Sequence, residues 1–129
     1  MNVPGNLFYK KEHEWVKIEG NSATMGITDY AQSSLGDITF VELPKIGQAA
    51  KQFGRISTVE SVKAASDVYA PLSGKAAKIN DSLSNTPELI NKSPYDKGWF
   101  LVIEIKDIKE KDNLLTSQAY SKYIEGLQR

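Results

Sequence analysis

The chain has 129 residues, 40% hydrophobic and 25% charged, which suits one globular domain with one core. Sixteen basic residues balance sixteen acidic ones, so no net field draws the protein to nucleic acid or an anionic membrane. With no cysteine there is no disulfide, thiolate metal site or thiol nucleophile, and a single histidine, His13, leaves no multi-histidine metal centre.

The longest apolar run, Trp99 to Ile103, is five residues, against the roughly 20 that a membrane-spanning helix needs. Met1 to Lys10 has neither the apolar stretch of a secretory signal nor the Arg/Ser-rich character of a transit peptide, so a cytoplasmic location is expected. In chain order, Val16 and Ile18 alternate with Trp15, Lys17 and Glu19, and Ala23, Met25 and Ile27 resume the period of two after the turn chemistry of Glu19-Gly20-Asn21. This predicts a β-hairpin with one buried face. Thr28 or Asp29 can cap a helix of about two turns, with Gln32 placed as in a capping box and Gly36 at the left-handed end position. Ile38, Phe40 and Val41 read as a strand stopped by Pro44, and Ile46-Gly47-Gln48 as a connection.

Arg55 to Glu60 is strand-like, with Ile56, Thr58 and Val59 β-branched, and Val68 to Ala70 resumes that character before Pro71. Lys63 therefore falls at a hairpin tip. Ala64, Ala65 and Ser66 are small, so an enzyme can reach the ε-amine: Lys63 is a candidate point of covalent attachment. Leu72-Ser73-Gly74 reads as a turn and Lys75 to Asn80 as a strand. Thr86 is a cap candidate with Pro87 at the first helical position and Glu88 in the first turn, predicting one short helix through Ile90. Trp99 to Lys106, apolar on both alternating sets, suits a strand buried on both faces. Tyr120, Tyr123, Ile124 and Leu127 define a helix with one apolar stripe, expected to pack across the sheets.

Short strands between glycine and proline turns, with helices at the periphery, give a mainly β class with minor α, built as two small packed sheets. The sequence holds no Gly-x-Ser-x-Gly elbow, no dinucleotide fingerprint and no phosphate loop. Any redox or group-transfer chemistry then needs a reactive group added after synthesis.

The segments Lys11-Glu12-His13-Glu14-Trp15-Val16, Met25 to Gln32, Leu35-Gly36-Asp37-Ile38 and Phe40 to Pro44 precede Glu60-Ser61-Val62-Lys63-Ala64-Ala65-Ser66-Asp67 in a fixed order. Tyr69-Ala70-Pro71, Thr86 to Asn91 and Gly98-Trp99 follow. This ordered set, over roughly residues 9 to 125, resembles the H-protein family of the glycine cleavage system. The resemblance implies a single lipoyl-carrier domain over 1–129: a lipoyl-type sandwich (barrel-sandwich hybrid) of two antiparallel sheets over about 15–106 and a C-terminal helical segment over about 112–128. It implies lipoate amide-linked to Lys63 and a non-catalytic carrier role. Glycine decarboxylase (P protein) would load an aminomethyl group, an aminomethyltransferase (T protein) would pass it to tetrahydrofolate, and dihydrolipoamide dehydrogenase (L protein) would reoxidise the dithiol. A lipoate ligase or lipoyl/octanoyl transferase would attach the group.

In this family the loaded arm folds back into a surface cleft, and a cationic amine calls for carboxylate partners. The alignment points to Glu14 and Asp67. Glu12 stands where some members carry a hydroxyl residue. Glu60, Ser61, Val62 and Ala64 complete the attachment loop, and Glu60 and Asp67 favour the protonated amine, so activation for acylation is expected from the attaching enzyme. His13 is expected to be structural, beside Trp15. The alternatives are a lipoyl relay protein, a 2-oxo acid dehydrogenase lipoyl module (which typically has an acid where Val62 stands), a biotin carrier (which favours methionine beside the lysine), a Schiff-base enzyme using Lys63, and an interaction module with a bare lysine.

Overall fold

The structure, a computed structural model, describes residues 1–127. Strands β2 (Glu14–Glu19) and β3 (Ser22–Ile27) form the expected hairpin, paired from Glu14↔Ile27 to Glu19↔Ser22, with Gly20 in the left-handed region at φ 60°. β1 (Phe8–Tyr9) flanks β2, and β9 (Leu101–Ile105), β8 (Gly74–Ile79) and β5 (Ala49–Ala50) extend the other side, giving an antiparallel sheet ordered β1-β2-β3-β9-β8-β5. A second antiparallel sheet is ordered β4-β6-β7, from β4 (Ile38–Glu42), β6 (Arg55–Ser61) and β7 (Ala65–Tyr69).

The two sheets enclose one apolar core. Met25, Leu101 and Ile103 come from the larger sheet, Val59 and Val68 from the smaller, and Leu83, Ile90 and Phe100 from the connections. Each fully buried side chain of this size contributes about 1.5–3 kcal/mol. A second cluster, Leu7, Tyr9, Trp15, Tyr120 and Ile124, lies against the other side of β1 and β2.

That second cluster corrects two expectations. Trp15 is buried rather than solvent-facing, so the start of β2 is covered on both sides. Its indole Nε1 donates to Pro94 O at 2.9 Å, and it lies so close over Gly26 that a Cβ there would come within 2.9 Å of Nε1. The C-terminal helix α4 (Ser117–Leu127) packs on β1 and this aromatic cluster instead of crossing the sheets, burying Tyr120 and Ile124 while Leu127 stays exposed. Residues 112–116 are not part of it: a 3-10 turn occupies Ile108–Asn113, and Leu115 bridges to Tyr9. Gln128, included in the expected segment, lies outside the described residues.

Other boundaries also move. α1 (Asp29–Leu35) is capped by Thr28, whose Oγ1 accepts from Ala31 N–H, while Gln32 donates to the Asp29 side chain instead of closing a capping box. Gly36 ends the helix at φ 80°. The single helix expected at Thr86 is two, α2 (Ser82–Asn85) and α3 (Leu89–Lys92); Thr86 terminates the first and Glu88 begins the second without a side-chain cap. β9 is buried on one face only: Leu101, Ile103 and Ile105 point inward, and Glu104 is exposed. Strand β7 begins at Ala65, three residues before its apolar part.

Gly74 is required sterically, since a Cβ there would stand 1.9 Å from Glu104 O, whereas one at Gly126 on α4 meets nothing within 4 Å. Urea unfolding should therefore separate two identical substitutions. Gly74→Ala is expected to lose about 3 kcal/mol, and Gly126→Ala to be neutral or gain up to about 1 kcal/mol.

Candidate functional site

The β6–β7 hairpin places Lys63 at its tip. Thr58↔Asp67, Val59↔Ser66 and Glu60↔Ala65 pair, leaving Val62, Lys63 and Ala64 as the connection. Lys63 and both its neighbours are exposed, and among the described residues its ammonium has no ion-pair partner. Ser61 organises this turn. Its Oγ accepts from the Ala64 N–H at 3.1 Å and the Lys63 N–H at 3.3 Å, while Ser61 N–H donates to Ala64 O at 2.8 Å.

The tip is also braced from outside its own strands. Val62 N–H donates to Asp37 O at 3.0 Å, and the Lys63 stem runs past Gly36, where an added Cβ would lie 3.9 Å from Lys63 Cε. Asn91 of α3 fixes that loop on both sides, accepting from Ile38 N–H at 2.9 Å and donating to Gly36 O at 2.9 Å. The backbone around the amine is thus held while the amine itself remains free. Glu60 is exposed on β6 and its carbonyl accepts from Thr39 Oγ1.

A cleft of about 430 Å³ lies beside the far end of β7, with Tyr9, Lys10, Glu12, Phe53, Tyr69 and Leu115 among its walls. Tyr69 is five residues along β7 from Ala64, about 17 Å at a strand rise of about 3.3 Å per residue. Of the acids named from the sequence, Glu12 lines this cleft and is half exposed, and Lys10 beside it holds its carboxyl below the usual carboxylate range. Glu14 is 1% exposed. Its Oε2 accepts from Tyr69 N–H at 2.8 Å, tying β2 to β7, and its Oε1 has no hydrogen-bond partner and lies 4.0 Å from Lys10 Nζ. Asp67 is not in the cleft wall. It is exposed on the outer face of the smaller sheet, 3.4 Å from Arg55 Nε, and Arg55 also pairs with Glu42.

His13 sits in the turn between β1 and β2 at φ 76°, its N–H donating to Lys10 O. The ring contacts Tyr30 and Tyr120 rather than Trp15, with Nδ1 2.9 Å from Tyr120 Oη, and burial holds its pKa below the usual value. These contacts pack it into the aromatic cluster, beside Tyr30 and Tyr120 and not beside Trp15 as expected.

The sequence reading missed Lys10, Phe53 and Tyr69. Lys10 is 4% exposed, pairs with Glu12, and places Nζ 4.4 Å from the Phe53 ring centroid and 5.8 Å from that of Tyr69. Phe53 holds a left-handed backbone at φ 70°, a strained state for a bulky residue. Its N–H donates to Ala70 O, fixing it against the end of β7. The spacing Lys10-x-Glu12-x-Glu14 was a readable signal of a charge cluster, but the aromatic walls come from elements distant in sequence.

Burial pushes the Glu14 carboxyl up from 4.5 to about 7, outweighing the lowering effects of the Tyr69 N–H and the Lys10 ammonium; Glu12 adds a smaller upward push, and the Tyr120 phenol also faces it. A folded-state value above the unfolded one means stability present below pH 4.5 and lost as pH rises through about 7. In urea titrations from pH 4.5 to 8, Glu14→Gln should therefore gain on the parent protein by on the order of 3 kcal/mol.

Residues 7–126 match the sequence profile of the family described as Glycine cleavage H-protein. The chain is 52% identical over 124 residues to the glycine cleavage system H protein of Anoxybacillus flavithermus, covering 96% of this chain and 98% of that one. It is 53% identical over 121 residues to the one from Geobacillus thermodenitrificans, covering 94% and 95%. The crystal structure of a glycine cleavage system H protein from Mycobacterium marinum superposes with a TM-score of 0.82 at 31% identity, covering 98% of this chain and all of that one. An exposed lysine at a braced hairpin tip on a two-sheet fold, with these similarities along nearly its whole length, makes the chain a member of the glycine cleavage H-protein family, the non-catalytic lipoyl-carrying shuttle of the glycine cleavage system.

Proposed function

We propose that Lys63 is the lipoate attachment point of this carrier and that the cleft walled by Glu12, Phe53 and Tyr69 receives the arm when it bears its aminomethyl cargo. The observation that carries the first part is the exposed, ion-pair-free amine on a backbone fixed by Ser61, Asp37 and Asn91. Such a lysine fits the group: an acylating enzyme finds a constant loop geometry and an unobstructed nitrogen. Lipoate supplies the sulfur chemistry that a cysteine-free chain lacks, accepting and releasing the cargo and cycling between disulfide and dithiol. The protein contributes position and shelter.

Reach and charge support the cleft. The lysyl stem and the acyl chain together make a tether of about fifteen bonds, roughly 18 Å extended, comparable with the run from Ala64 to Tyr69. Asp67 lies part-way along this route, on the same face of β7 as Tyr69 by strand alternation. Glu12 supplies negative charge at the mouth, and Glu14 stands behind as an acid whose ionisation a nearby cation promotes, so a cationic amine is favoured over a neutral arm. Surrounding aromatic side chains limit the water that would decompose the cargo.

The partners read from this role are glycine decarboxylase, the aminomethyltransferase, dihydrolipoamide dehydrogenase and a lipoate ligase or lipoyl/octanoyl transferase. No helix among the described residues is long and apolar enough to cross a membrane.

Intact mass spectrometry after incubation with a lipoate-attaching enzyme should show one lipoyl addition on the parent protein and none on Lys63→Arg, which keeps the charge but cannot form the amide; a lipoylated Lys63→Arg would refute the assignment. Ser61→Ala removes the hydroxyl that holds the turn and is expected to slow lipoylation severalfold with unfolding by urea nearly unchanged.

A further inference from the structure

The ammonium of Lys10 is enclosed by groups that suit a small primary amine. The Glu12 carboxylate pairs with it, Glu14 Oε1 lies 4.0 Å away without a hydrogen-bond partner, and the rings of Phe53 and Tyr69 have their centroids 4.4 and 5.8 Å from Nζ. Two acids and two aromatic faces around one cation make a built site, and Lys10 is 96% buried in it. Phe53 is held there in a strained left-handed backbone.

The side chain of lysine ends in a methylene and an ammonium. So does the cargo, a protonated aminomethyl group on sulfur, with the same three donors and the same charge. We propose that Lys10 is a built-in stand-in for that cargo: its ammonium holds the cation site of the cleft while the arm is elsewhere and yields to the aminomethyl ammonium when the loaded arm docks. This rests on the reading that the loaded arm occupies this cleft.

The exchange gives the cleft a way to distinguish loaded from unloaded arms. Replacing one ammonium by another leaves Glu12 and the buried Glu14 compensated, so little electrostatic energy is lost, and the flexible stem of Lys10 can carry its charge to solvent. A disulfide or dithiol end is uncharged. It would have to expel Lys10, leaving the Glu12 carboxylate without its cation and the buried Glu14 able to avoid an uncompensated charge only by taking up a proton, which is unfavourable. The empty arm therefore stays out, available to the partner that loads it or to the one that reoxidises it, and only the labile adduct is sheltered.

The test uses the full, lipoylated chain labelled with ¹³C at lysine Cε, with the Lys10 signal identified as the one missing from Lys10→Met. In the oxidised and reduced unloaded forms its ε-proton resonance should be displaced by the Phe53 and Tyr69 rings. Loading with glycine and glycine decarboxylase should move it to the position of solvent-exposed lysines. Ammonia release from loaded Lys10→Met should be at least threefold slower than from the loaded parent, because the competitor is gone. A Lys10 signal that stays in place, or a Lys10→Met adduct no longer-lived than the parent's, overturns the stand-in while leaving the cleft reading intact if the parent adduct outlives aminomethylated dihydrolipoamide free in solution. Decay of the parent adduct as fast as that free compound overturns the cleft reading, and the stand-in with it.

Discussion

The hydrogen bond from Tyr69 N–H to Glu14 Oε2 joins the first strand of the central hairpin to the last strand of the smaller sheet. It sets the end of β7 against the turn between β1 and β2, and the cleft forms along that seam. A carboxylate placed there is expensive, because burial disfavours its charge more than Lys10 and one backbone donor restore it. The same residue that closes the two sheets together also leaves an oxygen without a partner behind the cleft. Structure and electrostatics at this seam are therefore one arrangement, and Lys10 is drawn into it because an isolated buried acid needs a cation.

The far end of the β6–β7 hairpin obeys a different requirement. Val59 and Val68 root β6 and β7 in the core, while Val62, Lys63 and Ala64 stand outside it. A tip of this kind would fray if nothing but its own strands held it, since an isolated two-stranded ribbon is marginal in water. Ser61 closes the turn from within and the Gly36–Asp37 loop, pinned by Asn91, braces it from outside. The lysine backbone is held while its nitrogen is free, the division that the proposed attachment at Lys63 would need: a fixed address for a modifying enzyme and a mobile side chain beyond it.

The aromatic cluster on the outer side of β1 and β2 is what holds α4 against the larger sheet. Tyr9 stacks on Tyr120 with ring centroids 4.6 Å apart, and Tyr120 Oη meets both Thr28 Oγ1, at 2.7 Å, and His13 Nδ1. The helix thereby reaches the cap of α1 and the turn that carries Lys10 and Glu12 and leads into Glu14 at the start of β2. Burial lowers the pKa of His13 and raises those of the Tyr9 and Tyr120 phenols, so each of these groups is shifted toward its uncharged form.

Local sequence determined the central hairpin, the Thr28 cap and Gly36 stop of α1, the strand approaching Lys63 and the exposure of that lysine, because period-two patterning, capping hydroxyls and turn glycines act over a few residues and need no knowledge of the rest of the chain. Tertiary structure decided what contact between distant segments governs: Trp15 turned inward because Gly26 and Pro94 left room and a hydrogen bond for it, β9 found one solvent face, and α4 settled on β1. The acids were legible as acids but not by their environments. Glu14 became a buried tie and Asp67 an exposed partner of Arg55, while Lys10, Phe53 and Tyr69, far apart along the chain, met at one cleft. Burial and charge pairing are properties of a folded surface, and only the packing of one sheet against the other fixes them.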